Sequence, residues 1–308
     1  MKELKGRTAF ITGGASGLGL SMARAFGAQG MNVMIADIEQ AALNAALEDL
    51  KGRQIKCAGV LCNVAHRDQL RDAALKTIAQ FGKVHVLCNN AGVGAGGVVG
   101  QVPERDWDWI IDVNLKAVVH GMDVFLPLIK SHGEGGHVVN TASMAGMISP
   151  PAMEPYNATK FAVVAMSEGW QMQLAAENIG VSALCPGFVR TRIHESRRNR
   201  PDEYGADEGS EVLTGAAAQL VNSGIDPDAV GARVVEAILA NELYIFTHPE
   251  MRPLVEQRFA RILEGFDVAA RSPALKGQVA GLAGNALFEA AAAAAGEQAA
   301  ATLLGPKK

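Results

Sequence analysis

Short, nearly continuous apolar runs alternate along this chain with longer stretches in which apolar positions recur every three or four residues. The runs at Thr8–Thr12, Asn32–Ala36, Gln54–Leu61, Val84–Cys88, Gly136–Ala142, Val181–Cys185 and Leu243–Thr247 read as strands. They are too short for helices and too uniformly apolar for strands with one wet face, so they should be buried on both sides. The stretches Leu20–Gln29, Ala41–Lys51, Gln69–Gln80, Pro103–Ser131, Tyr156–Asn178 and Pro227–Ala240 carry the helical period. Strand and helix alternating in this way predict an α/β fold, with a seven-stranded parallel sheet covered by helices on both faces.

Two stretches break the rhythm. Arg190 to Asp226 is long, charged and weakly periodic, and a loop of that length inside a compact domain is usually functional. Its arginines (Arg190, Arg192, Arg197, Arg198, Arg200) are matched by acids, which favours a mixed solvated surface over an anion-binding patch. From Ala280 onward the chain is alanine-rich. The expected organisation is one domain over residues 1–270, with a lid at about 190–226, and an extension over 271–308.

Composition narrows the picture. A chain of 308 residues holds one large α/β domain with ample core. A net charge of -4 gives no electrostatic case for nucleic acid. Charged residues are 19%, below the usual quarter, which points to extensive burial or subunit contacts. Cys57, Cys62, Cys88 and Cys185 form no Cys-x-x-Cys pair and no histidine cluster has ligand spacing, so a reducing compartment and no metal are expected. No apolar run has the length of a membrane span and Met1 is not followed by a signal-peptide core, so the expectation is a cytoplasmic protein with no membrane partner.

The candidate chemistry lies at strand ends. After the first strand comes Gly13-Gly14-Ala15-Ser16-Gly17-Leu18-Gly19, then a helix. Glycines let the backbone approach a pyrophosphate, and a helix N-terminus favours its charge. The second strand ends in Asp37, which can accept hydrogen bonds from a ribose and would repel a 2′-phosphate. Neither Ile38 nor Gly14 supplies a cation, so NAD is favoured over NADP. Asn89-Asn90-Ala91-Gly92 closes the fourth strand with small residues and amides that suit a bound ligand. Asn114 stands inside a helical stretch, where asparagine is unfavourable. It either orders the backbone and a water near a lysine or is a buried, satisfied amide.

Ser143 follows the fifth strand, and Tyr156 and Lys160 open the next helix behind Pro155. Positions i and i+4 share a helix face, so the Lys160 ammonium should lie near the Tyr156 phenol and lower its pKa toward a useful range. With Ser143 hydrogen-bonding a substrate oxygen, the three groups suit proton transfer at an alcohol or carbonyl oxygen.

Taken together, Thr12-Gly13-x-x-x-Gly17-x-Gly19, Asn89-Asn90-Ala91-Gly92, Asn114, Ser143, Tyr156-x-x-x-Lys160 and Pro186-Gly187 resemble the classical branch of the short-chain dehydrogenase/reductase family, strongly over Lys5 to Thr191. The resemblance implies a doubly wound Rossmann-type fold, a nicotinamide cofactor and a homo-oligomer, dimer or tetramer. It makes Tyr156 the acid/base, Lys160 its partner and a ribose ligand, Ser143 the oxygen-positioning group and Asn114 the anchor of a water relay. It runs the cofactor along Gly13, Ser16, Gly17, Leu18 and Gly19, then Asp37 and Ile38, Asn63 and Val64, and Asn90, Ala91 and Gly92. Tyr156, Lys160, Pro186, Gly187, Val189 and Thr191 complete that set. Asn63 departs from the family pattern, which typically has an aspartate there beside the adenine. An isomerase or lyase using the same tyrosine, or a non-catalytic cofactor sensor, are the alternatives.

The residues between Ser143 and Tyr156 should form one wall of the substrate pocket, and that wall is largely apolar and rich in methionine. The opposite edge, Val93 to Gly97, is small, and Phe188 with the following segment is placed to close over the top. The expected substrate is a bulky, mainly apolar secondary alcohol or its ketone, aromatic substrates included. The segment Leu243 to Arg252 resembles dehydrogenases acting on benzylic alcohols of lignin-derived aryl ethers.

Overall fold

The computed structural model describes residues 1–205 and 215–278, and for residues 215–217 the backbone alone. Seven strands, β1 (Thr8–Thr12), β2 (Asn32–Asp37), β3 (Cys57–Leu61), β4 (Val86–Asn89), β5 (Gly136–Thr141), β6 (Ile179–Cys185) and β7 (Tyr244–Phe246), form one sheet in the order β3-β2-β1-β4-β5-β6-β7. Every pairing is parallel. The chain winds one way from β1 to β3 and then returns to β4 on the other side of β1. That reversal opens a crevice at the carboxyl ends of β1 and β4, where open α/β sheets bind ligands.

Alternation along the strands divides the core. Ala9 and Ile11 of β1, with Val33 and Ile35 of β2, face a layer built from α1 (Gly17–Ala28), α2 (Gln40–Gly52) and α8 (Pro227–Ala240). Phe10 and Met34 point the other way, against α3 (Arg67–Phe81), α4 (Glu104–Ile111) and α5 (Ala117–Ser131). There the rings of Phe10 and Phe125 lie 4.2 Å apart between centroids. A third cluster, from Val118 and Met144 to Ala183 and Cys185, seats α6 (Glu154–Leu174) on β5 and β6.

The departures from the expected elements have local causes. The third strand begins at Cys57, not Gln54, because Gln54 adopts a left-handed φ of 62° as the chain leaves α2. Helix α6 begins at Glu154, two residues before Tyr156, and takes Pro155 into its first turn, where a missing N–H costs no hydrogen bond. It gives way to a 3₁₀ turn at Ala175–Glu177, and Asn178 then ends it in the left-handed region at φ 56°.

The stretch expected as one helix over Pro103–Ser131 is helical but not uniform. Between α4 and α5 lies a π-helical turn, Asp112–Lys116, with Asn114 at its centre. Single π turns inside helices are frequent at functional sites.

The segment after β6 has short helices of its own. Ile193–Asn199 and Asp202–Tyr204 are 3₁₀, and α7 covers Gly215–Asn222. Part of the expected lid, residues 206–214, and the alanine-rich tail from residue 279 lie outside the described residues. Helix α9 (Arg252–Ala270) buries none of its residues. Among the described residues no helix is long and apolar enough to cross a membrane.

Candidate active site

The end of β1 turns sharply into α1. Gly13 and Gly17 hold positive φ, 60° and 49°, which a side chain would strain. Ser16 caps α1 without a side-chain hydrogen bond to the helix, so the first-turn N–H groups receive no cap from it. Asn90 ties this turn to the next strand. Its Nδ2 donates to Thr12 O at 2.9 Å and to Gly13 O at 3.3 Å, and its Oδ1 accepts from Thr141 Oγ1 at 3.2 Å. Asp37, at the end of β2, is buried and closes on the same loop: Oδ2 accepts from Ala15 N at 3.0 Å and Oδ1 from Glu39 N at 3.1 Å. Burial raises its pKa, and those backbone hydrogen bonds pull against the rise.

Ser143 emerges from β5 in extended conformation, and its Oγ accepts from Ala145 N at 3.0 Å. Its side chain also hydrogen-bonds the Tyr156 hydroxyl. One turn further along α6, Lys160 is buried, 3% exposed, with Nζ donating to Thr141 O at 2.8 Å and lying 5.4 Å from the centroid of the Tyr156 ring. A Cβ built on Gly92 would stand 3.4 Å from Asn114 Oδ1 and 3.5 Å from Lys160 Nζ, so the glycine leaves space where those groups converge.

The electrostatics correct one expectation. Burial raises the Tyr156 pKa, and the hydrogen bond with Ser143 is what pulls it down. Lys160 is itself so desolvated that its pKa falls to about 8, with nearby Cys185 working the other way. In the protein alone the phenol therefore stays protonated at neutral pH: burial sets the direction, and Lys160 is not among the groups that lower it.

These groups line one cleft of about 450 Å³ at the crevice between β1 and β4. Gly13, Ser16, Gly17, Leu18, Asp37, Ile38, Asn63, Val64, Asn90, Ala91 and Gly92 line one part of it. Ser143, Tyr156, Lys160, Pro186, Gly187, Val189 and Thr191 line the rest. Two expected residues do not line it. Gly19 sits behind the loop, where a Cβ would come within 2.0 Å of Gly13 O, so its smallness serves packing of α1 against the turn. Asn114 also stands back: Oδ1 accepts from Val93 N at 2.8 Å and Nδ2 donates to Val93 O at 2.9 Å. Its side chain is a satisfied amide that fixes the loop after β4.

The apolar wall is partly as expected. Ala145, Ile148, Pro150 and Met153 face the cleft with Met144, whereas Met147 packs into the core beside Val163. Phe188 reaches the cleft and is 43% exposed. The sequence did not single out Trp109, Ser196, Val221 or Met251, which also line the cleft, from four separate elements. Ser196 also accepts at Oγ from Gly94 N at 3.0 Å and so fastens the segment after β6 to the small edge after β4. Ser196 was legible only as one polar residue in a charged stretch.

Among the described residues, the one histidine and acid grouping close enough for metal ligation is His85, His132 and Glu134, away from this cleft. Arg7 and Lys83 already pair with Glu134. The ring nitrogens are engaged as well, His85 Nδ1 by Thr8 N and His132 Nε2 by Val84 O. That chemistry does not favour a cation.

A glycine turn feeding a helix, an acid at the next strand end, and a serine, tyrosine and lysine in contact form a specific set. Residues 7–202 match the family model described as short chain dehydrogenase. The chain belongs to the short-chain dehydrogenase family. Within this oxidoreductase family it is 33% identical over 268 residues to a C alpha-dehydrogenase of Sphingobium sp., spanning 86% of this chain and 88% of that one. It is 32% identical over 272 residues to a CLA biosynthesis dehydrogenase/reductase of Lactiplantibacillus plantarum, spanning 85% and 95%. Its fold superposes with a TM-score of 0.82 on the crystal structure of a short-chain dehydrogenase/reductase from Burkholderia phymatum in complex with NAD. The two are 36% identical, over 92% of this chain and all of the other.

The residues present fit the nicotinamide dinucleotide of this family. The turn at Gly13 and Gly17 leaves a cradle that a Cβ would fill: at Gly17 it would meet Thr191 at 3.1 Å, and at Gly13 the Ala91 backbone at 2.9 Å. The uncapped start of α1 and the carboxylate of Asp37 supply groups for phosphates and for a ribose, respectively.

Proposed function

We propose that this chain is an NAD(H)-preferring dehydrogenase/reductase that interconverts a bulky, mainly apolar secondary alcohol and its ketone. The observation that carries the reading is the Ser143–Tyr156 hydroxyl pair beside buried Lys160, where the glycine-lined cleft meets the apolar wall. A bound nicotinamide supplies the hydride acceptor or donor. Tyr156 moves the proton at the substrate oxygen, taking it from an alcohol in oxidation and giving it to the oxygen in reduction. Ser143 hydrogen-bonds the same oxygen and holds it against the phenol. Lys160, as an ammonium beside the ring, favours the phenolate whenever the proton has left. Asn114 holds the loop at Val93 and so keeps Gly92 open next to Lys160.

Residues 1–270 act as one domain, the segment from about 190 to 226 as a lid over the cleft, and 271–308 as an extension. Asp37 supports the preference for NAD(H), since a 2′-phosphate would stand against a buried carboxylate. The likeness to an NAD complex and to a C alpha-dehydrogenase supports the same reading.

The test is a rate comparison followed at the reduced-nicotinamide absorbance. A 1-arylalkanol should be oxidised with higher catalytic efficiency than a sugar alcohol, and NAD+ should be preferred to NADP+ by at least about tenfold, or about 1.4 kcal/mol. Higher efficiency on the sugar alcohol would overturn the substrate class. Equal efficiency with both cofactors would overturn the role of Asp37.

A further inference from the structure

The cleft wall at Asp37 and Ile38 continues into Glu39, and Arg192, Arg198 and Asn199 of the segment after β6 line the same cleft. One oxygen of Glu39 gathers that segment. Glu39 Oε1 accepts from Asn199 Nδ2 at 2.8 Å and from Arg198 Nε at 3.1 Å, and Arg198 Nη2 lies 3.0 Å from it. The third nitrogen of the guanidinium, Nη1, donates to the carbonyls of Arg192 and Glu195, both at 3.0 Å. The guanidinium is therefore held in place by its own 3₁₀ segment, with its other edge committed to Glu39. Arg192 is likewise committed, with Nε donating to Glu195 Oε2 at 2.6 Å.

A 2′-phosphate on an adenosine ribose needs a cation, and guanidinium is the group best shaped to receive it. Neither the glycine loop nor Ile38 offers one. Arg198 lines the same end of the cleft as Asp37, is fixed in position, and differs from such a receptor chiefly in that a carboxylate already occupies it.

We propose that Glu39 is a specificity-determining residue: by engaging Arg198 it withholds from a 2′-phosphate the cation that lines this end of the cleft. The inference rests on the reading of this end as the adenosine-ribose site. Exclusion of the phosphorylated cofactor then has two parts. Asp37 repels the phosphate, and Glu39 both adds negative charge and neutralises the arginine that would offset it. The second part is carried by a residue of the lid, so discrimination depends on the lid lying across the ribose.

The experiment measures equilibrium binding by calorimetry with ligands that lack nicotinamide, ADP-ribose and 2′-phospho-ADP-ribose, so that no turnover is involved. The proteins are wild type, Glu39→Gln, and Glu39→Gln with Arg198→Gln. Glutamine keeps the acceptor for Asn199 and removes the charge. Glu39→Gln should bind the 2′-phosphorylated ligand about tenfold tighter than wild type, with ADP-ribose affinity little changed. The double variant should lose most of that gain. An unchanged ratio in Glu39→Gln overturns the inference, and so does a gain that survives in the double variant, since repulsion alone would then explain it. Either result leaves the cofactor site standing if wild type binds ADP-ribose. Failure of wild type to bind ADP-ribose overturns the reading of the cleft and this inference with it.

Discussion

The two ends of the cleft are built from different physics. At the tyrosine end the supporting groups are buried and held by hydrogen bonds to neutral partners. Lys160 rests on a backbone carbonyl, Asn114 on the Val93 backbone, and Asn140 accepts from Asn89 at 2.9 Å and donates to Ser167 at 3.0 Å, all within the interior. At the Asp37 end the segment proposed as a lid is fastened by partly exposed charges. Arg198 meets Glu39, and Glu203 meets both His66 at 3.2 Å and Asn63 Nδ2 at 3.5 Å. Buried polar networks fix a single arrangement, whereas exposed ion pairs contribute little and are screened by salt. The proposed chemistry thus sits at the end held by buried hydrogen bonds and the adjustable contacts at the other. Between them the same segment has a buried ion pair, Arg200 on Asp106 at 2.6 Å, with side chains 4% and 5% exposed and the guanidinium over Trp109.

The largest expected effect is at the tyrosine end. Tyr156→Phe keeps the ring and removes the transferable proton, so turnover should fall by about 10²- to 10⁴-fold while affinity for ADP-ribose survives. Near-normal turnover in single-turnover kinetics would break the contrast at its strong pole.

Next comes the buried anchor. Arg200→Met removes the 2.6 Å partner of the buried Asp106 carboxylate, which keeps Arg197 Nη2 at 3.5 Å, and should cost about 2 kcal/mol in urea unfolding or release the lid to trypsin. A change below about 0.5 kcal/mol with unaltered proteolysis would show that the lid does not depend on this pair.

The sheet interior should show a pH signature that the lid lacks. His137 is fully buried, its Nε2 lies 2.8 Å from Ser182 Oγ, and burial pushes its pKa down to about 3. The folded protein keeps it neutral while the unfolded chain takes up a proton near pH 6.5. Stability is therefore retained above that pH and lost as pH falls toward 3, by about 1.4 kcal/mol per pH unit from this group. His137→Gln should flatten that slope, whatever it does to stability at pH 7.

The smallest effect belongs to the exposed fasteners. Raising salt to about 1 M shortens the screening length to about 3 Å and should speed tryptic cleavage at Arg197 and Arg198 by less than about fivefold. A much larger acceleration would mean that the ion pairs, and not the Arg200 anchor, hold the lid.

What was legible in the sequence follows the same division. Thr12 to Gly19, Asp37, Ser143, Tyr156 and Lys160 were readable because each is fixed by its neighbours in the chain: a strand end, a tight turn, an i,i+4 spacing. The starts of β3 and α6 slipped where one residue decided them, a left-handed Gln54 and a proline admitted to the first turn. The contacts of the lid were not readable. Arg198 meets Glu39 across 159 positions, and no local pattern says which of several arginines will find which acid. Nor did spacing reveal that burial, and not Lys160, would set the direction at the phenol, because desolvation is a property of the closed interior. The π turn at Asn114 was visible only as an asparagine out of place.

That turn also makes this part of the chain sensitive to length. A π turn is a helix carrying one residue too many. Removing a single residue from Asp112–Lys116 would let α4 and α5 merge into one regular helix with its hydrogen bonds in ordinary register. The return to regular winding makes up the roughly 100° that the missing residue contributed, so Phe125 and Ile129 keep facing the sheet, while the bulge that carries the Asn114 amide to Val93 is lost. The more regular backbone would be the worse protein: the deletion should spare the core face of α5 and cost the loop beside Lys160, which the Asn114 amide holds.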